Sequence, residues 1–211
     1  MNLLYIDPGT GSMLFSILIG ASATLFFLVK AMWIKLKLIF SGGKKSCAND
    51  KSYKDYVIYC EDKRYWNVFK PVLDEFEARK TDVTYYVANN QDPVFNEKYK
   101  FIHPEVIGEG NRAYAKLNLL SAGFVLTTTP GIQVYQWKRS RNVKHYSHIF
   151  HSPGDPTMYR LFGIDYFDSI LCTGDYQFKD IRIMEEQRNL PAKELITVGC
   201  TYLDVFKKKL E

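Results

Sequence analysis

Thr127–Gly174 reads TTTPGIQVYQWKRSRNVKHYSHIFHSPGDPTMYRLFGIDYFDSILCTG, and this stretch decides the fold. Two apolar runs, Tyr146–Phe150 and Ser169–Cys172, have the length and composition of buried strands. The first stops at His151-Ser152-Pro153-Gly154-Asp155 and the second at Thr173-Gly174-Asp175. Phe124–Thr128 stops in the same way, at Thr129-Pro130-Gly131. Apolar strands buried on both faces belong to parallel sheets, whose ligands gather outside the strands' carboxyl ends.

Outward from this stretch, strand-like and helix-like segments alternate. Tyr56–Cys60, Val83–Ala88 and Leu195–Val198 are apolar and β-prone, and Val106-Ile107 ends at Gly108. Trp66, Phe69, Leu73 and Phe76 fall at helical spacing within Tyr65–Arg79. Ala113, Leu117 and Leu120 do so in a segment that Asn111 would cap. Asp175–Arg188 predicts a charged amphipathic helix and Tyr202–Leu210 a last helix. Such alternation predicts an α/β class, a Rossmann-like domain over residues 55–211 with helices on both faces of a parallel sheet.

The amino-terminal region is of another kind. No charged residue occurs from Pro8 to Val29, about the 20 residues that cross a hydrocarbon core as a helix. Lys30, Lys35, Lys37, Lys44 and Lys45 follow, against Asp7 alone before it. Lys/Arg excess marks the cytoplasmic side, so the expected topology is a single-pass cell-membrane anchor with its amino terminus outside. The divisions expected are an extracytoplasmic turn over 1–11, with Asp-Pro and two glycines in Ile6–Ser12, then an anchor with basic flank over 12–40. A polar, Lys- and Gly-rich linker follows over 41–54.

Composition excludes several classes. Cys47, Cys60, Cys172 and Cys200 form no CxxC pair, which argues against a disulfide framework or zinc site. His145, His148 and His151 are close in sequence, but strand alternation turns His148 away from the other two, so no metal site is expected. Gly108-Glu109-Gly110 is an incomplete dinucleotide fingerprint in which Glu109 would repel a pyrophosphate. Lys138, Arg139, Arg141 and Lys144 form a basic cluster suited to steering a polyanionic acceptor, to anionic lipid, or to a solvated loop. No nucleic-acid motif accompanies it.

The spaced residues from Tyr53 to Asp204, with the steps at Thr127–Gly131, His151-Ser152 and Cys172–Asp175, resemble the amino-terminal half of the CDP-glycerol glycerophosphotransferase family. That family builds polyglycerol-phosphate polymers of the teichoic-acid type at bacterial membranes. The resemblance implies a glycosyltransferase-B architecture whose acceptor-side domain comes first. Glu211 falls about where a donor-binding second domain would begin, so CDP-glycerol is an expected partner only with that domain, supplied in this chain or a separate one. Other implied partners are the inner leaflet and a lipid-linked glycerol-phosphate acceptor; no cofactor is implied.

The resemblance also makes His151 the general base, at a step where the family carries His-Gly and this chain has serine. An imidazole near its usual pKa accepts a proton close to neutral pH. Ser152, Gly154, Thr128, Thr129, Gly131, Thr173 and Gly174 are the expected cleft residues around it. Thr127–Gly131 reads equally as a strand-to-helix turn with an N-capping threonine. Near the end, the family's Gly-x-Pro-Arg-x-Asp step is matched at Gly199 and Asp204 but lacks its proline and arginine.

Overall fold

The computed structural model describes residues 8–41, 52–160 and 162–210, and within 8–41 the side chains at 13, 15–30, 32 and 33. Contacts divide the chain into two compact units, Met1–Ser46 and Cys47–Glu211.

The described residues of the first unit form one helix, α1 (Pro8–Ser41), of 34 residues, roughly 50 Å long at 1.5 Å per residue. It begins at Pro8, so Pro8 to Gly11 are helical rather than part of a turn. Proline suits a first helical turn because the missing N–H has no partner to lose there. Met1–Asp7 and the linker's residues 42–51 lie outside the described residues, as do the side chains of Lys35 and Lys37. Large apolar side chains such as Phe15, Ile19, Phe26 and Trp33 are exposed along α1. Ser22 and Thr24 each donate to the carbonyl four residues earlier. Among the described residues, no helix is long and apolar enough to cross a membrane.

The second unit is α/β and Rossmann-like. Its strands are β1 (Lys54–Cys60), β2 (Val83–Val87), β3 (Ile102–Val106), β4 (Ser121–Thr127), β5 (Asn142–Ile149), β6 (Ser169–Cys172) and β7 (Glu194–Thr197). All pair in parallel, in the order β3-β2-β1-β4-β5-β6-β7. The winding reverses between β1 and β4, a switch of the kind that opens a crevice at the strands' carboxyl ends. The helices are α2 (Trp66–Ala78), α3 (Asn111–Leu117), α4 (Tyr176–Gln187) and α5 (Thr201–Leu210).

Two apolar layers flank the sheet. Val57, Tyr59, Val125, Tyr146 and Ile170 pack with Ala113 and Leu117 of α3 and Ile181 and Met184 of α4. Ile58, Cys60, Tyr85, Leu126 and Ile149 pack with Trp66, Val68, Phe69 and Leu73 of α2, and Tyr202 of α5 joins them. Each of these larger side chains contributes about 1.5–3 kcal/mol by leaving water. The helical period expected for α2 is therefore the one it uses to meet the sheet.

Some expected boundaries move. Gly110, not Asn111, holds the cap position of α3, and Asn111 opens the helix. Gly110 has φ 53 and accepts from Tyr114 N, a backbone that asparagine's short side chain does not need to complete. Asn118 is the C-cap of α3, its N–H bonded to Tyr114 O and its side chain donating to Gln136 O and accepting from Lys138 N. β1 begins inside the linker's expected span, at Lys54, whose ammonium pairs with Glu105 on β3 at 2.7 Å.

Candidate functional site

At the carboxyl end of β5 a cleft of about 240 Å³ is lined by Phe150, His151, Ser152, Gly154, Asp155, Met158 and Tyr159. Strand alternation orients its histidines. Tyr146 and Phe150 face the α3/α4 layer, and His148 joins them there against Phe150, Tyr159 and Phe167. Ile149 faces the α2 layer, and His151 packs at 5.1 Å against Tyr65, the residue that precedes α2. His145 stacks on Phe124 and shares a hydrogen bond with Ser169 Oγ. His148 thus faces away from His145 and His151, as the alternation predicts, while His145 and His151 pack against different aromatic partners on their common face.

His151 is half-buried, and that burial pushes its pKa below the usual histidine value. At neutral pH the ring is therefore uncharged, with one nitrogen able to accept a proton. Its Nδ1 is buried without a hydrogen-bond partner. His148 is wholly buried and its Nε2 shares a 3.0 Å hydrogen bond with Tyr159 Oη. Desolvation, and secondarily His151, lower the His148 pKa to about 3. Burial raises the Tyr159 phenol in turn, so both members of this pair stay neutral across the physiological range.

The loop after β5 is held by a residue that periodicity alone did not mark. Gln177, fully buried in the first turn of α4, donates to Gly154 O at 2.7 Å and accepts from Thr173 N at 2.8 Å. One amide therefore ties the Ser152–Gly154 loop to the step after β6. Thr173 Oγ1 is engaged with Tyr176 Oη, and a Cβ on Gly174 would meet the Tyr176 ring at 2.9 Å. Thr173 and Gly174 thus pack on Tyr176 and, like Thr128, Thr129 and Gly131, are not among the residues that line the His151 cleft. Gly154 has room for a methyl group, meeting only Ser152 Oγ at 3.7 Å, so its glycine character is not what the loop requires.

After β4, Thr127 Oγ1 accepts from Thr129 N, but turns follow instead of a helix. The N-cap reading of Thr127–Gly131 is thereby set aside: Gly131 N donates to Gly163 O, and Gly131 O receives Val134 N and Tyr135 N. Gly131 has φ 86, and a Cβ there would meet the Tyr135 ring at 2.9 Å, two reasons for glycine. The register Thr127↔His148 sets this step beside the end of β5. Thr128 and Thr129 are buried, and their hydroxyls have no partner. Six buried side-chain polar atoms among the described residues lack a partner, and four belong to Thr128, Thr129, His148 and His151. Buried polar groups are nearly always hydrogen-bonded, and of these four residues only His151 lines the cleft.

The basic cluster is not part of this cleft. Lys138, Arg139 and Arg141 precede β5 and Lys144 lies in its first half, so the strand separates Lys144 from His151 by roughly 23 Å. Arg139 is committed to structure: it grips both oxygens of Asp168 at 3.0 and 2.8 Å and lies over the Tyr146 ring at 4.9 Å. These four residues therefore make no direct contact with an acceptor held at His151.

A second cleft, of about 280 Å³, opens at the carboxyl ends of β1, β2 and β3 between Tyr59, Glu61, Asp62, Asn89, Glu109 and Tyr114. Gly108 and Gly110 flank Glu109 with positive φ, and Glu109 accepts from Asn89 Nδ2. Lys63 and Gly110 also line it, so its charged lining is three carboxylates against one ammonium. Cys60, Cys172 and Cys200 are free thiols, the first two buried.

Together these features define a Rossmann-like α/β domain with a neutral imidazole at its carboxyl rim. No family model, curated protein or solved structure matches this chain.

Proposed function

We propose that this chain is a membrane-anchored transferase of the CDP-glycerol glycerophosphotransferase kind, its Rossmann-like unit serving as the acceptor-side half of a glycosyltransferase-B architecture. The observation that carries the reading is His151: an uncharged, half-buried imidazole with an unpartnered nitrogen, lining a cleft at a strand's carboxyl end. In the reaction, His151 takes the proton of an acceptor glycerol hydroxyl. That oxygen attacks the phosphorus next to glycerol in CDP-glycerol, the bond to CMP breaks, and CMP leaves. Phosphoryl transfer needs alignment and positive charge more than covalent help. Gln177, by fixing Gly154 and Thr173 together, supplies alignment.

Membrane anchoring is supported by the charge-free run from Pro8 to Val29, which lies within the 34-residue α1. The Ser22 and Thr24 hydroxyls bonded back to the helix also suit a lipid setting, where no polar group can turn to water. The lysines after the run favour an exterior amino terminus and a cytoplasmic domain. A soluble donor and a lipid-linked acceptor would then meet on the cytoplasmic side of the membrane.

One observation favours a second reading, an acceptor-binding module without catalysis of its own. The described residues lining the His151 cleft include the carboxylate Asp155 and no cation. A donor phosphate would need its counter-charge from elsewhere, such as a donor-binding domain. The experiment is CMP release from CDP-glycerol by the full chain in proteoliposomes holding a lipid-linked glycerol-phosphate acceptor. Turnover that falls by about 10²–10⁴ in His151→Ala supports the first reading. Acceptor binding without CMP release supports the second, and unchanged turnover in a folded His151→Ala removes His151 from the mechanism.

A further inference from the structure

We infer that the amino-terminal end of the sheet, around Leu119 and the Lys138–Lys144 segment, is a docking surface for an anionic lipid bilayer. The inference rests on the anchored reading for its orientation and on the domain's own surface for its chemistry.

Four observations converge. Lys138, Arg141 and Lys144 are exposed, whereas Arg139 is neutralised by Asp168 and braces the segment from below. Arg141 makes no hydrogen bond or ion pair among the described residues. Lys138 donates to Gln133 O and Lys144 lies over the Tyr53 ring, contacts that orient the ammonium groups without cancelling their charge. Of the exposed acids at this end of the sheet, Asp55 starts β1, Asp82 is paired with His103 before β2, and Glu194 starts β7 at the far edge of the sheet.

Leu119 supplies the apolar element. It is 76% exposed, at the turn between α3 and β4. The neighbouring Asn118 fixes that turn directly to the basic segment, through Lys138 N at 2.7 Å and Gln136 O at 3.0 Å. A bulky aliphatic side chain held out on the turn tied to the basic segment at Lys138 matches a headgroup surface, where lysine and arginine meet phosphates and the leucine reaches the acyl boundary.

Topology gives the direction. The chain enters the domain at this end, through Tyr53 into β1, and Lys144 sits over that same Tyr53. His151 lies at the opposite end of β5. A domain docked this way holds its reactive rim roughly 20 Å or more from the bilayer surface, a strand's length into the aqueous phase. The acceptor taken at that rim must then be the distal hydroxyl of a chain long enough to span the distance, rather than a lipid headgroup.

The test uses the full chain with Leu119→Trp, compared with the unsubstituted chain, in vesicles of phosphatidylcholine alone or mixed with phosphatidylglycerol, the acyl chains brominated. The expected result is added tryptophan quenching in the anionic vesicles, lost in 1 M salt, where the screening length is about 3 Å. Each of Lys138→Gln, Arg141→Gln and Lys144→Gln should lower the docked population about fivefold. Equal emission from Leu119→Trp in both vesicle types, with the protein bound to both, overturns the docking surface and leaves the anchor standing. Flotation separates the two ideas from the other side. A chain that floats only with anionic vesicles overturns the anchor and supports docking, whereas one that floats with neither overturns both.

Discussion

The two ends of the sheet treat their polar groups in opposite ways. At the amino end, Ser140, Asp165, Asp168 and Glu185 are all hydrogen-bonded or paired, while Tyr85 Oη and Trp137 Nε1 are unpartnered in the core layers. Ser140 Oγ donates to Leu120 O, Ser140 N to Tyr146 Oη, and Asp168 serves both Arg139 and Tyr146 N. Asp165 holds Arg188, and Glu185 collects Arg182 together with both nitrogens of Lys193. At the carboxyl end, Thr128, Thr129, His148 and His151 each bury an atom with no partner. Saturated networks fix the strands' starting points, and unsaturated rims cost stability. The fold is held at one end and left chemically open at the other.

The largest expected effect comes from acid. His148 stays neutral in the folded protein down to about pH 3, but an exposed histidine in the unfolded chain protonates near 6.5. The unfolded state therefore binds more protons as pH falls below about 6.5, and folded stability drops with it. The expected slope is about 1.4 kcal/mol per pH unit, read from denaturation midpoints between pH 6.5 and 5. His151, lowered in the same direction, adds to it. His148→Gln should flatten most of this dependence; an unchanged slope would place the acid sensitivity elsewhere.

Next in size is Asp168→Ala, which removes the acceptor of Arg139 and of Tyr146 N together. Because the pair is about one-third exposed, its loss should cost about 2–3 kcal/mol rather than the full penalty of a buried charge. Calorimetry reads it directly. Gly131→Ala should cost about 1–2 kcal/mol through its positive φ and the Tyr135 ring. The matching change Gly154→Ala should fall within about 0.5 kcal/mol, since nothing crowds that site.

The smallest pair is the sharpest. Ser140→Ala should lose about 1 kcal/mol, because its hydroxyl is bonded at 2.6 Å and its removal strands Leu120 O. Thr128→Val, which removes a buried hydroxyl without a partner, should leave stability unchanged or raise it. If both hydroxyls proved equally costly to remove, the contrast between the two ends would be lost.

Much of this was legible in the chain, for identifiable reasons. Strands buried on both faces announced themselves as β-rich runs, and helix α2 by Trp66, Phe69 and Leu73. The strand order was not legible, because pairing depends on contacts between segments that local pattern does not encode. β3 was seen only at its last residue, since Pro104 and exposed polar positions mask an edge strand. In the site, His151 could be placed because it follows an apolar run. Gln177 could not, because a glutamine in the first turn of a charged helix looks like any solvated residue. Tyr65 and Tyr159 were hidden for the same reason: their roles come from the partners that the fold brings to them. The basic cluster was visible as charge, but that Arg139 belongs to Asp168 needed the register of the sheet.

The measurement that bears most directly on the rim as a reactive place is the nitrogen NMR titration of His151 in the full chain. An uncharged ring at pH 7, with its midpoint below the usual 6.5 and both features absent in His151→Ala, is the predicted result. An imidazolium at pH 7 would leave no nitrogen to take a proton, and the account of this end of the sheet would be wrong.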